Sequence, residues 1–285
     1  QSAWKTKETD HKAIWDKADA LSQIRMHRAP GNRAVSQSLV WHVKELITGE
    51  QWSPKQISGY LAKVGVKISH ETIYKMIRND ASSTLAANCR HRMKYRHSLR
   101  YRHETKALGI RNRVSIHERP KEADGSQFGT GMGLIVDKDS NAILTMVERS
   151  TNFLIMEKLK YDKKAMPLAK TVWRLLLPYM GEHLKTITTD NGSEFAEHEW
   201  VAHRLALDIY FTDAYASWQK GAIENTNKLI RQYITKGTDI STVTDKRIKM
   251  IQAKINRRPR EKLNFSTPKD EFFRVYFYFF CHVMK

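Results

Sequence analysis

The sequence predicts an α/β fold preceded by an all-α region, and three observations carry that expectation. Apolar residues recur at helical intervals up to about residue 80. Near residue 128 the texture changes to short β-prone runs. From there, three strands in succession give way to helices and strands in alternation.

Residues 1–38 read as helical, with Ile14, Trp15, Leu21 and Ile24 at helical spacing and a break at Pro30-Gly31-Asn32. Residues 39–80 are sharper. A helix from Leu39 to Thr48 precedes Ser53-Pro54-Lys55-Gln56, a capping box with proline at the first helical position. That second helix should bury Ile57 and Leu61 and end near Gly65, and Ser69 should cap a third, from His70 to Arg78. Two short capped helices around a glycine turn fit a helix-turn-helix. The last helix would then enter the major groove, with His70, Glu71, Thr72 and Lys75 as reading residues. A plain helical hairpin has the same spacing, and the basic stretch that follows favours the DNA-reading alternative. Between Arg90 and Lys106 stand Arg90, Arg92, Lys94, Arg96, Arg100 and Arg102 with only one acid, Glu104, and with Tyr95 and Tyr101 interleaved. Such a stretch reads as a linker laid along phosphates.

Beyond it, Leu134–Val136, Ala142–Val147 and Phe153–Leu159 are candidate strands. Residues 163–179 follow as a helix with Leu168, Val172, Leu175 and Leu176 on one face. Leu184–Thr189 is a strand, 194–207 a helix, Ile209–Thr212 a strand and Ala222–Ile234 a long helix. Three adjacent antiparallel strands followed by this alternation form the ribonuclease H-like arrangement. The expected domains are a helical segment over 1–38, the helix-turn-helix over 39–80, a basic linker over 81–120, the α/β core over 121–262 and a tail over 263–285.

Composition bounds the partner. Forty-nine Lys and Arg against 30 Asp and Glu leave a net charge of +19, an excess that calls for a polyanion. No membrane partner is expected, because long apolar spans and basic amphipathic helices are not evident. Cys89 and Cys281 match no metal-ligand spacing and read as free thiols of a reducing cytoplasm. The polar start, Gln1 to Asp10, does not resemble a secretory signal. A chain that opens on Gln1 rather than Met is expected to be trimmed at its start.

Two motifs carry chemistry. Thr188-Thr189-Asp190-Asn191-Gly192-Ser193-Glu194-Phe195 sets a carboxylate where a buried strand ends, at the rim of a sheet. Trp218-Gln219-Lys220-Gly221-Ala222-Ile223-Glu224-Asn225 opens a helix and carries Glu224, thirty-four positions after Asp190. Alone, Asp190 would be turn chemistry and Glu224 a helix-start carboxylate. On the Glu224 helix, Lys228 and Arg231 follow at i+4 and i+7, placed to hold a DNA phosphate beside the acids.

These motifs resemble the DDE transposases and retroviral-type integrases. With Ser69-His70-Glu71-Thr72-Ile73-Tyr74, Glu118-Arg119-Pro120, Asn256-Arg257-Arg258-Pro259-Arg260 and Phe265-Ser266-Thr267-Pro268, the chain resembles the insertion-sequence-30 transposase family over roughly residues 20–273. The resemblance implies a core that holds two Mg²⁺, or Mn²⁺ in their place, on two Asp and one Glu. Asp190 and Glu224 would be the second and third acids, catalysing DNA cleavage and strand transfer by two-metal phosphoryl transfer. It also implies double-stranded DNA partners (terminal inverted repeats and a target site), a homo-oligomer in the synaptic complex, and a cytoplasmic, nucleoid-associated setting in a bacterium.

The first acid departs from the pattern. The family carries Trp-Glu-x-Asp before its first apolar run, and here Gly133 stands where that aspartate belongs. Asp137 and Asp139 lie nearby, toward the turn; Asp137 would share Gly133's face by strand alternation and is the weaker metal-ligand candidate. The apolar tail, Val275 to Val283, is also foreign to the pattern, and a degenerate or frameshifted copy would explain both. Three functions follow: a transposase, a catalytically impaired relative that binds DNA or inhibits transposition, and a helix-turn-helix regulator, which would leave the two acids idle.

Overall fold

The structure, a computed structural model, describes residues 14–24, 35–93, 110–120, 129–136, 141–160, 164–180, 184–213, 219 and 221–274. The chain divides into two compact units, residues 1–42 and 43–285. In the first, residues 14–24 form helix α1, as their spacing predicts, but Ile14, Trp15, Leu21 and Ile24 are all exposed. Helix α2 (Gln37–Thr48) crosses the division and buries Val43, Leu46 and Ile47.

The second unit opens with the predicted helix pair. Helix α3 (Pro54–Lys63) carries the complete capping box: Gln56 N–H donates to Ser53 Oγ, and the Gln56 side chain accepts from Ser53 N–H. Ile57 and Leu61 are buried, as expected. Gly65 takes φ +86, a conformation open to glycine at little cost. The Ser58 hydroxyl then ties the turn to the carbonyl of Ile68 at 2.6 Å. Ser69 caps α4 (His70–Arg78) by accepting from Glu71 N–H, and Ile73 and Ile77 complete the core of the helix-turn-helix. The expected linker over 81–120 is not bare: α5 (Thr84–Asn88) and a 3-10 turn over Arg90–Met93 follow α4 directly.

One six-stranded sheet forms the rest of the core. Its strands are β1 (Val114–Ser115), β2 (Gly129–Val136), β3 (Ala142–Glu148), β4 (Leu154–Lys158), β5 (Thr186–Thr189) and β6 (Asp208–Phe211). Their order is β1-β6-β5-β2-β3-β4; β2, β3 and β4 are antiparallel, while β5 and β6 run parallel to β2. That is the ribonuclease H-like α/β arrangement. Helices α6 (Ala165–Leu176) and α7 (His198–Leu205) cover one face over Met132, Leu144, Met146, Ile187 and Phe211. Helices α8 (Gly221–Ile230) and α9 (Asp245–Asn256) cover the other over Ile135, Ile143, Val147, Leu154 and Met156. Covered on both sides, β3 is buried at every residue, so it reads as an apolar run instead of an alternation.

Three boundaries differ from the sequence expectation by four residues or more. β2 begins at Gly129, five residues early, because Gly129, Gly131 and Gly133 carry no β-propensity and gain their strand from the ladders to β3 and β5. Ser193–Phe195 is a 3-10 turn, so α7 starts at His198 and not at 194. α8 stops at Ile230 rather than Ile234. The two-residue β1 and helix α9 extend the expected order; β1 is too short to show a period.

α9 solves the open edge of the sheet. The Asn256 amide donates to the Leu154 carbonyl and accepts from Leu154 N–H, both at 2.8 Å. Gln252 accepts from Met156 N–H at 2.9 Å. Side chains thus replace the missing neighbour strand and cover a pairing edge. The expected tail is also partly folded: residues 268–274 are helical, and Phe272 is buried with its ring stacked 4.2 Å from Phe153. The apolar run Val275 to Val283 lies outside the described residues.

Candidate functional site

Asp190 follows directly on β5, whose four residues are all buried in mid-sheet. The residues after it are tied down. Thr212 N–H donates to the Thr189 carbonyl at 2.9 Å, and Asn191 donates to the Thr212 carbonyl at 2.7 Å, so the ends of β5 and β6 stay together under Asp190. Arg113 in turn donates to Asn191 Oδ1 at 2.6 Å. Gly192 has ordinary extended angles, and its lack of a side chain makes room for the Glu194 carboxylate, 2.4 Å from where a Cβ would stand.

Glu224 sits half-buried in the first turn of α8, between buried Ile223 and exposed Asn225. Gln219 fixes the approach to that helix, accepting from Asp213 N–H and donating to Asp213 Oδ2, each at 2.8 Å. His117 meets the same carboxylate at 2.7 Å. The hydrogen bonds from Gln219 and then His117 hold the Asp213 carboxyl below its usual range.

Position 133 completes the corner. Gly131 pairs with Thr188 in the parallel ladder, so two residues on, Gly133 comes level with Asp190 on the same face. A Cβ at Gly133 would lie 3.6 Å from Ile223 and 3.8 Å from the Asn227 amide, both on α8. Of positions 133, 190 and 224, the first comes level with the second and lies against α8, which carries the third, and a Cβ fits at position 133. Two of the three carry carboxylates. Among the described residues no three His, Cys, Asp or Glu side chains gather to hold a metal ion. The described residues do not amount to a three-carboxylate, two-metal set. Asp137 lies outside the described residues.

Around the corner, the segment after β1 supplies contacts that sequence reading did not single out. Arg119 donates to Thr188 Oγ1 at 3.1 Å, two residues before Asp190 and on its face. Only its place in Glu118-Arg119-Pro120 pointed to it. Of the two cations expected on α8, Lys228 is exposed, whereas Arg231 is half-buried just past the helix end and reaches the Thr235 carbonyl at 3.5 Å.

On α4, His70, Glu71 and Lys75 are exposed and Thr72 is half-exposed, as a reading face requires. Glu71 is held by Arg78 at 3.0 Å. The His70 ring meets Tyr74 edge-on and Arg78 lies over Tyr74, which adds Tyr74 and Arg78 to that surface at i+4 and i+8. In the basic stretch Arg92 is exposed and Arg90 is half-buried; Lys94, Arg96, Arg100 and Arg102 lie outside the described residues. Cys89 is a buried free thiol whose pKa is pushed up by burial, and Cys281 lies outside the described residues.

The distal motif has a structural role its pattern did not announce: it fastens the helix-turn-helix to the α/β core. Buried Arg258 donates to the Gln51 carbonyl and to the Tyr233 hydroxyl, both at 2.9 Å. Lys254 donates to the Gly49 carbonyl at 2.6 Å, Arg257 pairs with Glu50, and Lys55 pairs with Glu261. Phe265 packs so closely on α3 that a Cβ at Gly59 would fall 2.3 Å from its ring.

A ribonuclease H-like core with Asp190 directly after β5 and Glu224 on α8, carrying a helix-turn-helix ahead of it, is an integrase-type catalytic core. No family model matches the sequence. Individual relatives do. The transposase for insertion sequence element IS4351 of Bacteroides fragilis is 37% identical over 286 residues, covering 94% of this chain and 87% of its own length. The transposase for IS1086 of Cupriavidus metallidurans is 31% identical, over 88% of this chain and 78% of its own. Transposase InsI for IS30A of Escherichia coli K12 is 34% identical over 77% of this chain, which spans 61% of the E. coli protein. The catalytic core domain of BIV integrase overlays 54% of this chain and 99% of its own at 14% identity and a TM-score of 0.43; the fold assignment stands on strand order instead. The chain belongs to the insertion-sequence-30 family of transposases.

Proposed function

We propose that this chain binds the terminal inverted repeats of an insertion sequence and holds them without cutting them. It would occupy the repeats as a homo-oligomer at the nucleoid of a bacterial cytoplasm. The observation that carries this reading is Gly133, level with Asp190 on the face toward Glu224, where the family's first carboxylate belongs. DNA recognition falls to α4, through His70, Glu71, Thr72 and Lys75, with Arg90 and Arg92 opening the basic stretch along phosphates. No helix among the described residues is long and apolar enough to cross a membrane.

The second reading is a working transposase, in which Asp190 and Glu224 retain Mg²⁺ or Mn²⁺ for cleavage and strand transfer at the repeats and a target site. Asp190 directly after β5 and Glu224 in the first turn of α8 support it. A strand-transfer assay on repeat-end DNA with either ion separates the two. The proposal expects no product from the natural chain and product from Gly133→Asp, abolished again by Asp190→Ala. Product from the natural chain would overturn it in favour of the second reading. Protection of the repeats in a footprint checks the binding half, and its absence would sink that half alone.

A further inference from the structure

One pocket of about 350 Å³ is walled by α3, by Arg90 at the head of the basic stretch, by Asn225 of α8 and by Arg260 of the distal motif. Its charged groups are unbalanced. Arg90 Nε and Arg260 Nε and Nη2 are buried with no hydrogen-bond partner among the described residues. The neighbouring Arg258 spends Nη2 on Gln51 and Tyr233 and Nη1 on Gln232. Of the carboxylates, Glu261 pairs with Lys55 at 2.8 Å, and Glu50 pairs with Arg257 through Oε1 at 3.4 Å. Burial, then repulsion from Arg258 and Arg90, lowers the Arg260 pKa to about 10, so it remains a cation at neutral pH. Buried guanidinium groups with orphaned N–H donors are costly unless an anion meets them, and their planar fork suits phosphate oxygens.

We propose that this pocket is an anion site that seats a backbone phosphate of bound DNA, with Arg90 and Arg260 as its charged donors. The choice of a phosphodiester over a free anion rests on the DNA-binding reading above and on the position of the walls. They come from the helix-turn-helix (through α3), the basic stretch and the helix of Glu224, the elements to which the DNA-binding reading assigns contact with DNA. The site would contribute affinity and register but no sequence preference.

Two arms test it on the full chain. In the first, inorganic phosphate against chloride at matched ionic strength should raise the natural protein's Tm by roughly a few degrees, and much less in Arg260→Gln or Arg90→Gln. Removing an uncompensated buried charge should leave the ligand-free Arg260→Gln protein at least as stable as the parent, which a merely structural arginine would not. In the second, duplex DNA binding is followed across a salt series. Each variant should bind roughly tenfold more weakly near 0.1 M salt, with a slope of log K against log salt shallower by about 1 and equal losses on repeat and unrelated sequences. Equal phosphate responses in parent and variants, or unchanged salt slopes, would overturn the site while leaving DNA binding intact. A phosphate response in a chain that binds no DNA would overturn the backbone assignment and the DNA-binding reading together, leaving a site for free phosphate.

Discussion

The seam between the helix-turn-helix and the α/β core is knit by side chains from both sides, whereas the acid corner lacks one of the three carboxylates that the family resemblance implies. At the seam, Arg258, Lys254, Arg257 and Phe265 all find partners on the α2–α3 side, and Gly59 is bare where Phe265 needs the room. At the corner the scaffold is equally tight, with Asn191, Gln219 and Arg119 each tied to a strand end, yet one of the three positions carries only hydrogen. Such a difference teaches that holding DNA and reacting on it draw on separate parts of this fold. The seam is made by packing and hydrogen bonds that stabilise the chain whatever its activity. At the corner, Gly133 keeps its place in the β2–β3 ladder, so the sheet forms there without a carboxylate.

The largest expected effect fills that gap. In Gly133→Asp the new Cβ meets only ordinary van der Waals contacts, at 3.6 Å or more, so the protein should fold normally. A third carboxylate beside Asp190 and Glu224 should raise Mn²⁺ affinity by at least roughly tenfold over the natural chain, read as the ion concentration that gives half the Tm shift. Equal shifts in both proteins would mean that position 133 does not face the acids, and the comparison would lose its basis.

Next in size are losses at the seam and the sheet edge. Asn256→Ala strips both backbone groups of Leu154 of their partners at a buried edge, a cost of about 2–4 kcal/mol in denaturant unfolding. Gly59→Ala drives a methyl into the Phe265 ring and should cost about 1–3 kcal/mol, largely recovered when Phe265 is also made Ala. If the double variant recovers nothing, the seam is not held by that contact.

Which of these features a sequence can disclose follows from their range along the chain. The capping box at Ser53, the cap at Ser69 and the buried pair Ile57–Leu61 are local, and all were legible as periodicity and end signals. Asp190 and Glu224 were legible because strand-end and helix-start placement can be inferred from the same periods. The seam was not, because Arg258 and Gln51 stand some two hundred residues apart and a basic run looks alike whether it binds a carbonyl or a phosphate. Asn256 shows the same limit: its residue type marks the family, but only the packed sheet makes it a surrogate strand. The glycines of β2 hid a strand for the opposite reason, since the ladder imposes what their propensity does not.

The smallest expected effect separates scaffold from charge at the corner. Gln219 and His117 hold the Asp213 carboxyl below its usual pKa of 3.8, so the ionised form is favoured by folding. Its contribution is present above pH 3.8 and fades as pH falls through the lower folded value. Because the group is exposed to solvent, Asp213→Asn should lower Tm by only roughly a degree at neutral pH, and the difference should vanish toward about pH 2. The asparagine amide can still accept from Gln219, so the loop into α8 should keep its place and the metal response of Gly133→Asp should survive in the double variant. A Tm difference that persists at acid pH would mean that Asp213 acts through shape. A lost metal response would mean that its charge reaches the acids, and the corner would then have to include Asp213.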